Sequence, residues 1–318
     1  MKSPSRVVIG LHFASVYLIW GSTYLAILFA IRSIPPLLMA GTRFVLAGAI
    51  LYTAARLSGA SRTRLVDWRT AAIVGACLLL GGNGGVTLAE QYIPSGLAAL
   101  LVATIPIYMA LLSWLCGMSP RPNAISFAGL GGGFLGVGLL VGPALTLSGN
   151  GESPKAWIGM CILLCSSFIW SAGSLYSRRT HTDAPPFLAA GQQMLCGGSL
   201  MFLVGIARGE LRGFHPHEVT MHSLGAFAYL VLIGGVLGYA SYAWLLRHCE
   251  PAKVATYAYV NPIVAVVLGT IFADEKLTLR MLLAAALIIS SVALVITANQ
   301  RSAPQVDHAL AGSDCRAS

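Results

Sequence analysis

"PPLLMAGTRF", residues 35–44, and "PPFLAAGQQM", residues 185–194, are one phrase written twice, 150 positions apart. The phrase is apolar almost throughout, yet its first copy carries Arg43. If this segment crosses a bilayer, that charge costs roughly 2.5–3.5 kcal/mol on insertion scales, so something must compensate it. Other phrases echo at similar distances. "IWGSTY" at 19–24 answers "IWSAGS" at 169–174, and "PSGLAALLVATIPIYMALL" at 94–112 answers "EPAKVATYAYVNPIVAVVL" at 250–268. In the last pair Pro106 falls on Pro262, an offset of 156. The chain is an internal repeat.

The surrounding composition says what kind of repeat. Hydrophobic residues fill 56% of 318 positions and charged residues only 10%, far below the roughly 25% charged of soluble domains. An integral membrane protein is the class that fits. About 20 apolar residues span the hydrocarbon as a helix, and ten such runs occur: 7–31, 36–56, 70–91, 95–116, 124–142, 156–177, 186–206, 222–246, 253–272 and 278–297. Run 7–31 is too long for a signal-peptide core and reads as an anchor helix. Five runs per half is an odd number, so the second half enters the membrane from the opposite side. The expected fold is therefore an all-α polytopic membrane protein of ten transmembrane helices in two inverted five-helix repeats. The halves are expected at 7–147 and 156–297, with a disordered cytoplasmic tail over 298–318.

The net charge of +9 does not indicate nucleic acid, because the cations sit singly between apolar runs rather than in a patch. With the N-terminus inside, thirteen Lys and Arg residues fall in inner segments and six in outer ones. Both termini are thus expected in the cytoplasm. The seven cysteines show no disulfide spacing, and Cys161 and Cys165, one turn apart, lack a His or carboxylate to complete a metal site.

Inverted repeats typify secondary transporters, whose substrate sites lie near the membrane midplane between the repeats. By helical rise, Trp20, Asn83, Pro106, Trp170, Tyr239 and Asn261 all fall near that depth. With Tyr24, Tyr257 and Pro262 they make the candidate substrate pathway, expected to line a central cavity. Each proline frees a backbone carbonyl that lipid cannot satisfy, so it must face protein or water. The competing reading is that the prolines kink their helices and the Trp residues fill volume. "GGNGG" at 81–85 lacks the Lys-Ser/Thr of a phosphate loop and reads instead as close helix approach or a joint; "GLGGGFLGVG" at 129–138 reads as helix packing.

Arg43 and Glu90 both fall in the outer half, and a pair between them, or a shared aqueous vestibule, would relieve the burial cost of each. Arg43 matches Gln193 in the second half and Glu90 matches Leu246, so the equivalent inner site is uncharged. Arg43, Glu90 and Gln193 are therefore the gate or coupling candidates, with a proton as the coupling ion to be tested. His12, in the first turns of helix 1, reads as an interfacial residue.

"IWGSTY", "PPLLMAGTRF", "GGNGGVTLAEQYIPSGLAALLVATIP" and "YAYVNPIVAVVLGT", in this order and spacing, resemble the drug/metabolite transporter superfamily and, within it, the EamA family. The resemblance covers residues 13 to about 297 and implies a ten-helix exporter of the inner membrane without a cofactor. The family usually carries Gly-Glu after helices 4 and 9. Here helix 9 ends in Asp274-Glu275 but helix 4 ends in Met118-Ser119, which excludes a carboxylate role at the first of these places.

Other classes are disfavoured by what the spans contain. An enzyme needs clustered acid, base or metal groups, and Glu90 is the one carboxylate within a span; His215, His217 and His222 share one short outer loop. A passive channel wants rings of like charge or a repeated polar filter, and neither is present. The aromatic and amide lining suits a small neutral or zwitterionic substrate, such as an amino acid, another metabolite or a drug. It does not suit polyanions or multivalent cations. Lipid is the surrounding partner, and a homodimer is an assembly the sequence leaves open.

Overall fold

The structure, a computed structural model, describes residues 5–60, 63–119, 121, 123–145, 155–180, 184–249, 254 and 256–302. Described elements are helical, as backbone in an apolar surrounding requires. We label α1 (Arg6–Ala30), α2 (Pro36–Leu57), α3 (Leu65–Ala89), α4 (Ser95–Leu115), α5 (Ala124–Leu145), α6 (Ala156–Arg179) and α7 (Pro186–Ala207). Next come α8 (Met221–Tyr229, Leu230–Leu237 and Gly238–His248), α9 (Tyr257–Phe272) and α10 (Leu279–Ser302). Among the described residues, seven helices are long and apolar enough to cross a membrane: α1 to α4 and α6 to α8. Ala124–Leu140, Val260–Phe272 and Leu279–Leu294 are shorter apolar helices.

Local chemistry sets the ends. Pro36 and Pro186 each open a helix after a preceding proline in extended backbone, which suits a residue with no N–H to leave unsatisfied. Helix α3 begins at Leu65, five residues before the apolar run, because the Asp67 carboxylate accepts the Arg64 N–H at 2.8 Å. Helix α10 continues through Ser302, into the segment expected as tail; residues 303–318 lie outside the described residues.

Three helices depart from regularity. Residues Ala76–Asn83 of α3 and Leu230–Leu237 of α8 are π-helical, a form that collects at functional sites. Helix α4 breaks between Val102 and Ile105, so Pro106 stands in the first turn of its second piece rather than inside a continuous helix. Pro262 does sit within α9.

Helices α2 and α7 form the most intimate pair, antiparallel and reciprocal. A Cβ on Gly41 would lie 2.6 Å from the Phe202 backbone nitrogen, and one on Gly191 would lie 2.7 Å from that of Tyr52. Gly41 and Gly191 are 150 residues apart, and so are Tyr52 and Phe202. The contact is thus related to itself by a local two-fold axis. Around this pair, α1 packs on α8 and α9 while α6 packs on α3 and α4, and α5 lies along α10. Gly136 fits against Ile288 in the α5–α10 contact, the packing role expected for that glycine run.

Candidate functional site

The aromatic residues of α1, α8 and α9 converge. Trp20 meets Tyr242 with ring centroids 5.0 Å apart and Tyr257 edge-on at 5.1 Å. Tyr242 also touches Tyr257 at 5.9 Å and Tyr239 at 6.3 Å. Trp20 can enter because α8 has Gly238 there, where a Cβ would stand 2.7 Å from the indole Nε1. Asn261 is buried behind this cluster. With its amide oriented to suit its neighbours, it donates to the carbonyls of Tyr17 and Tyr257 at 3.2 Å each. It is Asn261, one residue before Pro262, that ties the proline segment of α9 to α1.

A second cluster stands where α6 meets α3. Trp170 packs on Gly82 and Ile169 on Gly81, so the first glycines of "GGNGG" provide close approach. The next residue, Asn83, accepts a hydrogen bond from Arg43 Nη2 at 3.2 Å. Arg43 is 4% exposed, and its guanidinium lies 4.4 Å from the centroid of the Phe44 ring. Ser171 of α6 donates to the Ile105 carbonyl at 3.3 Å, beside Pro106.

Of the expected residues, Trp20, Tyr239, Tyr257 and Asn261 are therefore brought together, and Arg43, Asn83 and Trp170 form a separate group. Tyr24 is half-buried on α1, one turn beyond Trp20. Gln193 is half-buried at the opposite end from Glu90, in a shallow polar cavity with Asp67, Thr70, Ser177, Thr180 and Gln192. The expected Arg43–Glu90 contact is not formed. Glu90 is 3% exposed and neither carboxylate oxygen has a hydrogen-bond partner among the described residues. The reason is depth: Arg43 stands two turns inside α2 and reaches the π-helical segment of α3, whereas Glu90 caps the end of that helix.

Tyr242 was missed by sequence reasoning, although it lies one turn from Tyr239, and so was Tyr17, whose hydroxyl sits 2.6 Å from Thr256 Oγ1. His12 is also more than an interfacial residue. It stacks on Trp244 at 4.1 Å, and Trp244 stacks on His248 at 4.1 Å, which joins α1 to the end of α8.

Comparison with known proteins matches this architecture. A family model described as the EamA-like transporter family fits residues 9–142 and again 157–297. The chain is 37% identical over 282 residues to the inner membrane transporter YedA of Escherichia coli strain K12, covering 88% of each chain. It is 24% identical over 293 residues to an E. coli protein named "Probable amino-acid metabolite efflux pump", covering 87% of this chain and 91% of that one. A solved crystal structure shares the fold, with a TM-score of 0.63 at 20% identity over 93% of this chain and 100% of that chain. By a family model matched in both halves and by identity to YedA over most of its length, the chain belongs to the EamA-like transporter family.

Proposed function

We propose that the protein is a secondary carrier of the inner membrane that exports small neutral or zwitterionic metabolites, amino acids or drugs by alternating access. In this reading the helices α1 to α10 all span the bilayer, as two inverted five-helix repeats, and both termini are cytoplasmic. The reading rests chiefly on the reciprocal α2–α7 contact, in which Gly41 meets Phe202 as Gly191 meets Tyr52. A local two-fold axis between antiparallel helices is what two oppositely inserted repeats require, and rocking about such an interface exposes a central site alternately to each side. The substrate pathway is assigned to Trp20, Tyr24, Tyr239, Tyr257 and Asn261–Pro262 on one side and Asn83, Pro106 and Trp170 on the other.

The lining supports the substrate class: rings and amides offer stacking and neutral hydrogen bonds, and the buried charged residues among those described are Arg43, Glu90 and, at the far end of α3, Asp67. A relative named for amino-acid metabolite efflux points the same way. Purified protein in liposomes tests the reading. A panel of radiolabelled amino acids should show saturable counterflow for at least one member; ohmic current without counterflow would make the protein a channel. A reporter inserted at Gly213 should be active outside and one fused after Ser302 inside; matching sides for the two would overturn the inverted arrangement.

A further inference from the structure

Two carboxylates from the second half of the chain reach helix starts in the first half. Glu210, in the turn that ends α7, accepts the N–H groups of Leu37 and Leu38 at 3.0 Å each, both through Oε2. Glu275, just after α9, accepts the N–H and hydroxyl of Ser95 through Oε1 at 2.6 Å each, and the Gly96 N–H through Oε2 at 2.9 Å. These amides are first-turn donors of α2 and α4, which have no partner within their own helix. A carboxylate there also meets the positive end of the helix dipole. The fit is close: a Cβ on Gly269 would come 2.8 Å from Glu275 Cδ. Both contacts lie at the same end of the bundle, since Gly84, near the close of α3, stands beside Leu37.

The opposite end has the same backbone without the carboxylates. Gly59 (φ 88°) and Gly209 (φ 83°) are left-handed alike. Ala60 N donates to Ala55 O at 3.1 Å as Glu210 N donates to Gly205 O at 3.0 Å. The turn after α2 thus repeats the turn after α7, but its side chain ends at a methyl group. Ser119, at the place matching Glu275, exchanges a 2.9 Å hydrogen bond with Ser113 of its own segment.

We propose that Glu210 and Glu275 are latches that hold the outer end of the carrier closed, and that opening outward requires their release. The assignment of this end as external rests on the topology proposed above. Each latch has its carboxylate on one repeat and its donors on the other, so any parting of the repeats at this end breaks it. At the Ala60 end no carboxylate of the described residues makes such bonds across the repeats. The cross-repeat hydrogen bond there runs from Arg179 Nη2 to the Cys116 carbonyl at 2.8 Å, so the outer end is held more strongly and the inward-open state is favoured at rest. Glu210 and Glu275 act by positioning α2 and α4, without touching substrate.

The test is accessibility, which needs no substrate. In the full chain freed of native cysteines, Tyr24→Cys provides a reporter below the latched end. It is labelled from outside with a membrane-impermeant thiosulfonate. Losing several charge-assisted hydrogen bonds in Glu210→Ala with Glu275→Ala should speed labelling at least about tenfold. An unchanged rate in a double variant that remains monodisperse overturns the proposal. Should that variant fail to fold, Ala60→Glu decides instead. At the 150-residue repeat offset it stands to the start of α7 as Glu210 stands to the start of α2, and is designed to close the inner end, so outside labelling should rise; an unchanged rate overturns the proposal. Counterflow by the parent protein is measured in parallel. Its absence beside an intact labelling response would count against the carrier reading alone.

Discussion

Arg43 donates to Asn83 at 3.2 Å, and this bond, with the Phe44 ring below, is what the buried guanidinium has in place of an ion pair. Asn83 closes the π-helical segment of α3, and the widened turn carries its amide toward α2. The compensation for the charge is therefore a polar side chain and a ring face.

A double-mutant cycle tests that pairing. Arg43→Gln and Asn83→Leu should be non-additive in thermal stability by about 0.5–3 kcal/mol, the range for residues in direct contact. Arg43→Gln with Glu90→Gln should show the weaker coupling of the two, since Glu90 acts on Arg43 through space and not through a hydrogen bond. Stronger coupling of Arg43 to Glu90 than to Asn83 would contradict the geometry.

Glu90 itself makes a different forecast. A carboxyl group buried without a hydrogen-bond partner contributes little to stability and carries a desolvation cost if ionised. Glu90→Gln should leave the melting temperature unchanged or raise it. If the proton is the coupling ion, the same variant loses accumulation driven by a pH gradient while counterflow persists. The charged and titratable groups near Glu90 are Tyr24 of α1, Arg43 of α2 and Glu275 after α9. A large drop in stability would mean that Glu90 has a partner in the folded protein.

The apolar helices and their order were legible in the sequence, seven of them long enough to cross a membrane, because apolar length and proline placement are local properties. The α2–α7 pairing was foreshadowed by the repeated phrase that opens each helix, down to Gly41 and Gly191. The partner of Arg43 was not, because charge matching favours Glu90 and only the π-helical turn brings Asn83 into reach. Glu210 was equally hidden. In sequence it is one more loop carboxylate, and its meaning comes from Leu37 and Leu38, more than 170 residues earlier. The available signal was the contrast of Gly59-Ala60 with Gly209-Glu210 at the repeat offset.

The two Trp seats can be tested by adding one carbon. Gly238→Ala puts a methyl 2.7 Å from Trp20 Nε1, and Gly82→Ala puts one closer still to the ring carbon Cε3 of Trp170. Each should cost about 1–3 kcal/mol of stability as the indole is displaced, with a change in Trp emission. Gly84→Ala is the control, since its nearest neighbours would stand at 3.5 Å. Helix propensity alone should make that change neutral or mildly stabilising. Equal losses at Gly84 and Gly238 would mean that the seats are not special.

The aromatic cluster makes the last prediction, because packing and substrate contact diverge there. Trp20 bridges α1 to both α8 and α9 through Tyr242 and Tyr257. Trp20→Ala should cost about 3–5 kcal/mol where the indole is fully packed, so lost transport in that variant alone proves little. Tyr242→Phe is the sharper change. It keeps the ring contacts at 5.0 and 5.9 Å and removes one hydroxyl. If the cluster only holds helices together, stability and transport should both survive. In the carrier reading the hydroxyl adjoins the pathway, since the Tyr242 ring touches Trp20, Tyr239 and Tyr257. Counterflow should then show a changed apparent affinity, or a changed order of preference among amino acids, at unaltered melting temperature. Asn261→Ala supplies the complementary case. It removes the amide that joins the Tyr17 and Tyr257 carbonyls, and should slow transport even where substrate still binds. Unchanged kinetics for every substrate in both Tyr242→Phe and Asn261→Ala would reduce the cluster to a packing seam and move the site toward Asn83 and Trp170.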